Sequence, residues 1–161
     1  MKKILINISY FGYSSFGLDV HARNFIDLLD ELKSDYNFTL LTNSNYTDDR
    51  FHCVFLKRSD SLLSKFIYFF KLQFYFLINK NKYHYFLTPA HYGSLFIRNQ
   101  IITIHDVIPY LFPTPFKQKI YFKFIIHILL NRSKKIITDS NYVKKELTKI
   151  INLDSNKITT V

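Results

Sequence analysis

Cysteine is nearly absent from this chain. The single Cys53 excludes an intramolecular disulfide and has no partners for a cysteine zinc site. It lies in the apolar run Phe51–Leu56, the setting of a small hydrophobe rather than a nucleophile. Glycine is scarce too, with three in 161 residues, and none forms the GxGxxG pattern of a dinucleotide fingerprint. No long uncharged apolar run occurs. The most hydrophobic stretch, "SLLSKFIYFFKLQFYFLINK", is interrupted by Lys65, Lys71 and Gln73, which argues against a transmembrane helix. Repeats and low-complexity linkers are missing, so residues 1–161 read as a single domain. The start, "MKKILINISY", has two lysines but only a short apolar run with Asn7 inside it. It reads as a first strand rather than a signal peptide, which makes the expected location cytoplasmic.

Acidic residues are depleted in one part only. Residues 1–60 carry seven Lys/Arg against eight Asp/Glu, a net of −1. Residues 61–161 carry fifteen against four, a net of +11. Such asymmetry points to an anionic partner for the second part: nucleic acid, acidic lipid headgroups or a phosphorylated small molecule. A lysine-rich solvated surface accounts for it equally well. No RNA or DNA motif accompanies the charge, and the aromatics sit in apolar runs rather than in a stacking platform, so no nucleic acid is expected.

What is present is core-forming material: 48% hydrophobic and 18% aromatic residues. Its period alternates along the chain. Strand patterns cover Lys3–Ser9, Phe38–Leu41, Phe51–Leu56, Tyr83–Leu87, Ile101–Ile104, Ile136–Thr138 and 158–161. Helical spacing covers Gly17–Leu32, with Leu18, Phe25, Leu28, Leu29 and Leu32 as its apolar positions. It also covers Leu62–Ile78, capped by Ser61, then Lys117–Asn131 and Tyr142–Ile150. Strands alternating with helices predict an α/β, Rossmann-like three-layer sandwich: a mostly parallel sheet with helices on both faces. The long aromatic helix reads in two ways: as a crossover packed on the sheet, or as an interfacial helix with rings among lipid headgroups and lysines on phosphates.

In open parallel sheets, ligands bind at the carboxyl ends of strands. Three predicted loops there carry a histidine. "SYFGYSSFGLDVHARNF" leads into the first helix. Gly12, Ser14, Ser15 and Gly17 suit an anion-binding turn, while Asp19 and His21 read as caps or ligands, with capping favoured for Asp19. "LTPAHYGSL" carries His91 and Tyr92. "IITIHDVIPYLFPTPF" carries His105 and Asp106, then Pro109, Pro113 and Pro115. Pro109 is expected to deny a helical start and stiffen the loop. No metal-ligand spacing is present, so no metal is expected.

The blocks "TPAHYGSL", "ITIHDVIPYLFPTPF" and "KKIITDSNYVKKEL", in this order after a loop containing Gly17, resemble the N-terminal half of a GT-B glycosyltransferase of the family 4 type. The resemblance covers nearly the whole chain. It implies a Rossmann-like acceptor-side domain and transfer of a sugar from a nucleotide-sugar, the donor substrate, to a glycan or lipid-linked acceptor, without a bound cofactor. By position, it implies that His105 is the active-site histidine, with Asp106 beside it. Ser15, Phe16 and Gly17 become the donor-phosphate loop. His21, His91 and Tyr92 fall on the acceptor side, and Ser140 and Asn141 open the helix at the cleft. Ser14 and Ser15 stand where family members often carry a glycine pair, and serine enters φ > 0 less readily. The resemblance also implies that the donor-holding second domain lies outside these 161 residues, these being a piece of a longer protein, one product of a split gene with its other half in a partner chain, or a degenerate remnant, so that no catalysis is expected without it. Peripheral contact with the inner face of the membrane is a further expectation. A non-catalytic binding module of the same fold is the alternative.

Overall fold

The computed structural model describes residues 1–12, 16–43, 46–57, 62–112 and 120–161, with the side chains of Phe16, Leu62 and Leu63 left aside. Ser14, Ser15, the Ser61 cap, Pro113, Pro115 and the expected first turn of the fourth helix lie outside the described residues.

Seven strands form one sheet, and every pairing among the described residues is parallel. They are β1 (Lys2–Asn7), β2 (Tyr36–Thr42), β3 (His52–Phe55), β4 (Tyr85–Thr88), β5 (Gln100–Ile104), β6 (Lys135–Thr138) and β7 (Ile158–Thr160). Their spatial order is β3-β2-β1-β4-β5-β6-β7. This is the doubly wound Rossmann order with a seventh strand added at one edge. The switch of direction between β1 and β4 fixes which loops share the carboxyl edge.

Among the described residues the α-helices are α1 (Phe16–Glu31), α2 (Leu62–Ile78), the single turn α3 (Ile108–Leu111), α4 and α5 (Asn141–Ile151). Within the described residues, helix α4 runs through a π-helical segment, Tyr121–Ile126, and continues as an α-helix, His127–Arg132. Alternation along the strands sorts the side chains by face. Ile4, Ile6, Phe38 and Leu40 face α1, which contributes Ala22, Ile26 and Leu29. On the opposite face, Leu5 and Phe86 meet Tyr68, Leu72 and Phe76 of α2. Ile102, Ile104 and Ile136 meet α4 and α5 there. The register carries this face from Leu5 through Phe86 and Gln100 to the β5–β6 pair Ile102–Ile136. Helices α2, α4 and α5 therefore cover one face and α1 the other, a three-layer sandwich.

Two expectations are corrected. Leu28 of α1 and Leu32, just past its end at Glu31, are exposed, and the buried stripe is Ala22, Ile26 and Leu29. Ala22 meets the sheet because its small side chain lets the helix approach closely. Pro109 does not deny a helical start: it lies in the first turn of α3. The first turn has no intrahelical acceptors for its N–H groups, so the missing proline N–H costs nothing there.

Candidate functional site

Strand pairing decides what meets at the carboxyl edge. Ile104 of β5 lies opposite Thr138 of β6, so the next residues, His105 and Asp139, emerge side by side. His105 Nδ1 stands 2.7 Å from Asp139 Oδ2. His105 Nε2 stands 3.1 Å from the carbonyl oxygen of Pro89, just past the end of β4. Both ring nitrogens thus face acceptors. An N–H on either nitrogen has an oxygen to donate to.

Asp106 plays a local part. Its Oδ1 accepts the backbone N–H of Ile108 at 2.9 Å and starts α3. The carboxylate against His105 is instead Asp139. Asp139 is not among the residues that the sequence singles out. Its signal was present in "IITDS", since residues that follow aligned parallel strands share one level of the edge.

The three histidines come together, His21 from the second turn of α1 and His91 and His105 from the loops after β4 and β5. The His21 ring packs edge-on against His105, with ring centroids 4.4 Å apart. Burial lowers the His21 pKa, with His105 pushing it the same way and Asp139 opposing. His91 lies in the loop after β4, against Tyr92 at 4.2 Å, Phe122 at 5.5 Å and Tyr121 at 6.0 Å between ring centres. Its desolvation in this aromatic setting, helped by His105, pushes its pKa down to about 4.

A polar network fixes the loops. Asn7, buried at the end of β1, donates to the Tyr92 carbonyl at 2.7 Å. Tyr68 of α2 donates to the Ser9 hydroxyl, which donates to Asn7. Tyr10 donates to the Pro89 carbonyl at 3.2 Å, the same oxygen that His105 faces. Two buried glutamines hold the segment that follows. Gln73 donates to the Gly93 carbonyl at 3.1 Å and accepts from the Leu95 N–H at 2.8 Å. Gln100 bonds both the N–H and the carbonyl of Ser94. A side chain on Gly93 would meet Gln100, Ile102 and Leu129, with 2.8 Å to the nearest atom, so only glycine lets this segment pass between sheet and helix.

Gly17 shows the reverse. A Cβ there would meet nothing within 4 Å, so folding does not demand glycine at the start of α1. Upstream, Gly12 takes φ 75° and donates its N–H to the Asp19 carboxylate at 3.1 Å, folding the loop back on the helix. Ser15 and the Phe16 side chain lie outside the described residues. Ser140 caps α5, its Oγ accepting the Val143 N–H at 3.2 Å, and Asn141 is exposed beside it. Among the described residues, no group of three His, Cys, Asp or Glu side chains is placed to hold a metal ion. A cavity of about 570 Å³ beside α3, α4 and α5, lined by Tyr110, Phe122, Lys123, Phe124 and His127 among others, includes none of the clustered histidines.

The depressed His91 has a consequence for stability. Unfolded, the ring takes up a proton near pH 6.5; folded, it resists until about pH 4. In that window the unfolded state holds more protons, so stability is full above pH 6.5 and falls as acid is added. His91 alone accounts for on the order of 3 kcal/mol by pH 4, and His21 acts with the same sign. Urea unfolding midpoints from neutral to weakly acid pH are expected to drop steeply, and His91→Gln to flatten that slope. Parallel slopes for the two proteins would remove His91 as the cause.

No protein-family model matches the chain. Over 72 residues, 45% of this chain, it is 39% identical to the O-antigen chain mannosyltransferase RfbU of Salmonella typhimurium, and the match spans 20% of that protein. Among solved structures, a sucrose-phosphate synthase from Thermosynechococcus elongatus superposes with a TM-score of 0.69 at 9% identity. The superposition covers 100% of this chain and 48% of that one. A glycosyltransferase from Rickettsia africae superposes with a TM-score of 0.56 at 13% identity, covering 99% of this chain and 42% of that one. The fold is therefore glycosyltransferase-like, and the chain spans less than half the length of each of these proteins.

Proposed function

We infer that these 161 residues form the acceptor-binding half of a glycosyltransferase that moves a sugar from a nucleotide-sugar to a glycan or lipid-linked acceptor, with a second domain holding the donor. The observation that carries this reading is the His105–Asp139 pair. It sits at the carboxyl edge of a Rossmann-type sheet, with His21 and His91 beside it. The partial likeness to a mannosyltransferase supports the same class. His105 exchanges its Nε2 contact with the Pro89 carbonyl for a sugar hydroxyl, while Asp139 holds the ring through Nδ1. Gly17 leaves the backbone of the first helical turn open to a diphosphate, which the N–H groups and helix dipole favour there. A half cleft cannot surround the donor or pre-organise charge at the leaving diphosphate, so transfer requires the second domain.

The test combines the chain with a donor-holding domain of the same fold, fused or in trans, against a panel of nucleotide-sugars. Transfer is expected from the pair and from neither part alone. Saturable transfer by the 161 residues alone would sink the half-enzyme reading. Acceptor binding without transfer in any pairing would favour a non-catalytic binding module.

A further inference from the structure

Helix α2 is apolar on two sides. Its inner side belongs to the core through Tyr68, Leu72 and Phe76. Its outer side carries Phe66, Phe70, Phe74 and Ile78, each four residues from the last, at 64%, 56%, 63% and 62% exposure. One turn at a time, this spacing builds a single stripe. Phe66 and Phe70 already pack on each other, ring centres 4.9 Å apart, without covering the stripe. Helix α4 lies on the same face of the sheet and repeats the pattern, with Phe124 and Ile128 exposed on its outer side. Large exposed apolar side chains spaced four residues apart on two helices of one face are more than the scatter of apolar residues found on any surface.

Charge identifies what covers them. Lys65 and Lys71 flank the α2 stripe and are exposed; Lys123 adjoins Phe124 on α4. Between residues 61 and 138 the chain has eleven Lys/Arg and one acidic residue, Asp106. A second copy of the same surface would bring like charges together. A strand of nucleic acid would meet rings arranged as a helical stripe rather than a stacking platform. An anionic bilayer satisfies both features, phosphates on the lysines and acyl boundary around the rings. No described helix is long and apolar enough to cross a membrane, so contact is along the surface.

We propose that the outer sides of α2 and α4 form a docking surface for an anionic lipid bilayer, through Phe66, Phe70, Phe74 and Phe124 with Lys65, Lys71 and Lys123. The proposal does not rest on sugar transfer, and its test has no enzymatic readout, so the two can fail separately.

The chain has no tryptophan, so a single one reports its own surroundings. Phe70→Trp and Phe124→Trp are expected to shift to shorter emission wavelength with vesicles of phosphatidylcholine and phosphatidylglycerol. Leu28→Trp, exposed on α1 across the sheet, is expected not to shift. Flotation should show binding to these vesicles at low salt, little to pure phosphatidylcholine, and partial release as salt rises. Each lysine near such a surface contributes about fivefold in partitioning, so Lys65→Glu/Lys71→Glu should weaken binding by about 25-fold or more. Phe70→Ser/Phe74→Ser should remove the salt-resistant part while leaving the thermal midpoint in place. An equal shift of Leu28→Trp, or no binding to anionic vesicles at low salt, would overturn the proposal. So would self-association abolished by Phe70→Ser/Phe74→Ser without lipid binding, or tight binding to random oligonucleotides with none to vesicles.

Discussion

His105→Ala, placed in the 161 residues joined to a donor-holding domain, is expected to lower sugar transfer by about 10²-fold or more, a loss of about 2.7 kcal/mol of transition-state stabilisation. The size follows from how the ring is held. Asp139 at 2.7 Å and the Pro89 carbonyl at 3.1 Å fix it from two sides, and His21 packs its edge. A donor fixed in advance does not have to be ordered during the reaction, which is where such groups gain their effect. The ring lies at the sheet edge with 19% of its side chain exposed, so its removal leaves the core beneath, Ile102 and Ile104, intact. Thermal unfolding of the variant should therefore match the parent. Equal transfer by both proteins would take His105 out of the site. A collapsed thermal transition would reassign it to the fold.

The neighbouring carboxylates sharpen that result. Asp139→Asn keeps the shape but removes the charge that holds the ring, so it should lose a smaller share of activity than His105→Ala. Asp106→Ala frees the first N–H of α3 and should leave transfer near the parent level. The opposite ranking, with Asp106 dominant, would mean that the loop rearranges when substrate binds and that the pairing with Asp139 is a resting arrangement.

The same pairing marks where the sequence was readable and where it was not. Helix α2 begins and ends where its apolar run does, and the strands lie within two residues of their apolar patterns, because burial on a sheet leaves a direct trace in hydrophobic order. Polar residues leave no such trace. Gln73 reads as an interruption of an aromatic helix, yet it is buried and spends both ends of its amide on the loop that follows β4. Asp106 stands next to His105 in the chain, while Asp139 stands next to it in space, and only the β5–β6 register reveals the second kind of neighbour. The π-helical segment of α4 was equally hidden, because its apolar spacing resembles that of an α-helix. The three histidines converge because the segments that carry them, α1 and the loops after β4 and β5, follow adjoining strands at one edge, an inference the alternation of strands and helices already permits.

Phe76→Ala is expected to destabilise the chain by about 3–5 kcal/mol, whereas Phe74→Ala, two residues away, should change stability by less than about 0.5 kcal/mol. Both are phenylalanines on the same helix, in the same run of the sequence. Phe76 is 1% exposed, packs edge-to-face on Phe86 at 5.7 Å, and fills the layer between α2 and the strands with Leu5, Leu41 and Leu72. Truncating it removes apolar area and leaves a cavity bounded by the sheet, which cannot move in to close it. Phe74 points to the other side of α2, and alanine there removes no core contact while slightly favouring the helix. For a domain of this size the loss at Phe76 corresponds to roughly 10 °C in Tm. Equal destabilisation by the two substitutions would mean that Phe74 is covered within the chain itself, and the lipid-facing stripe would lose its central residue. Stability lost only at Phe76, together with vesicle binding lost only on changing the outer phenylalanines, would divide α2 into a face that holds the fold and a face left for a partner.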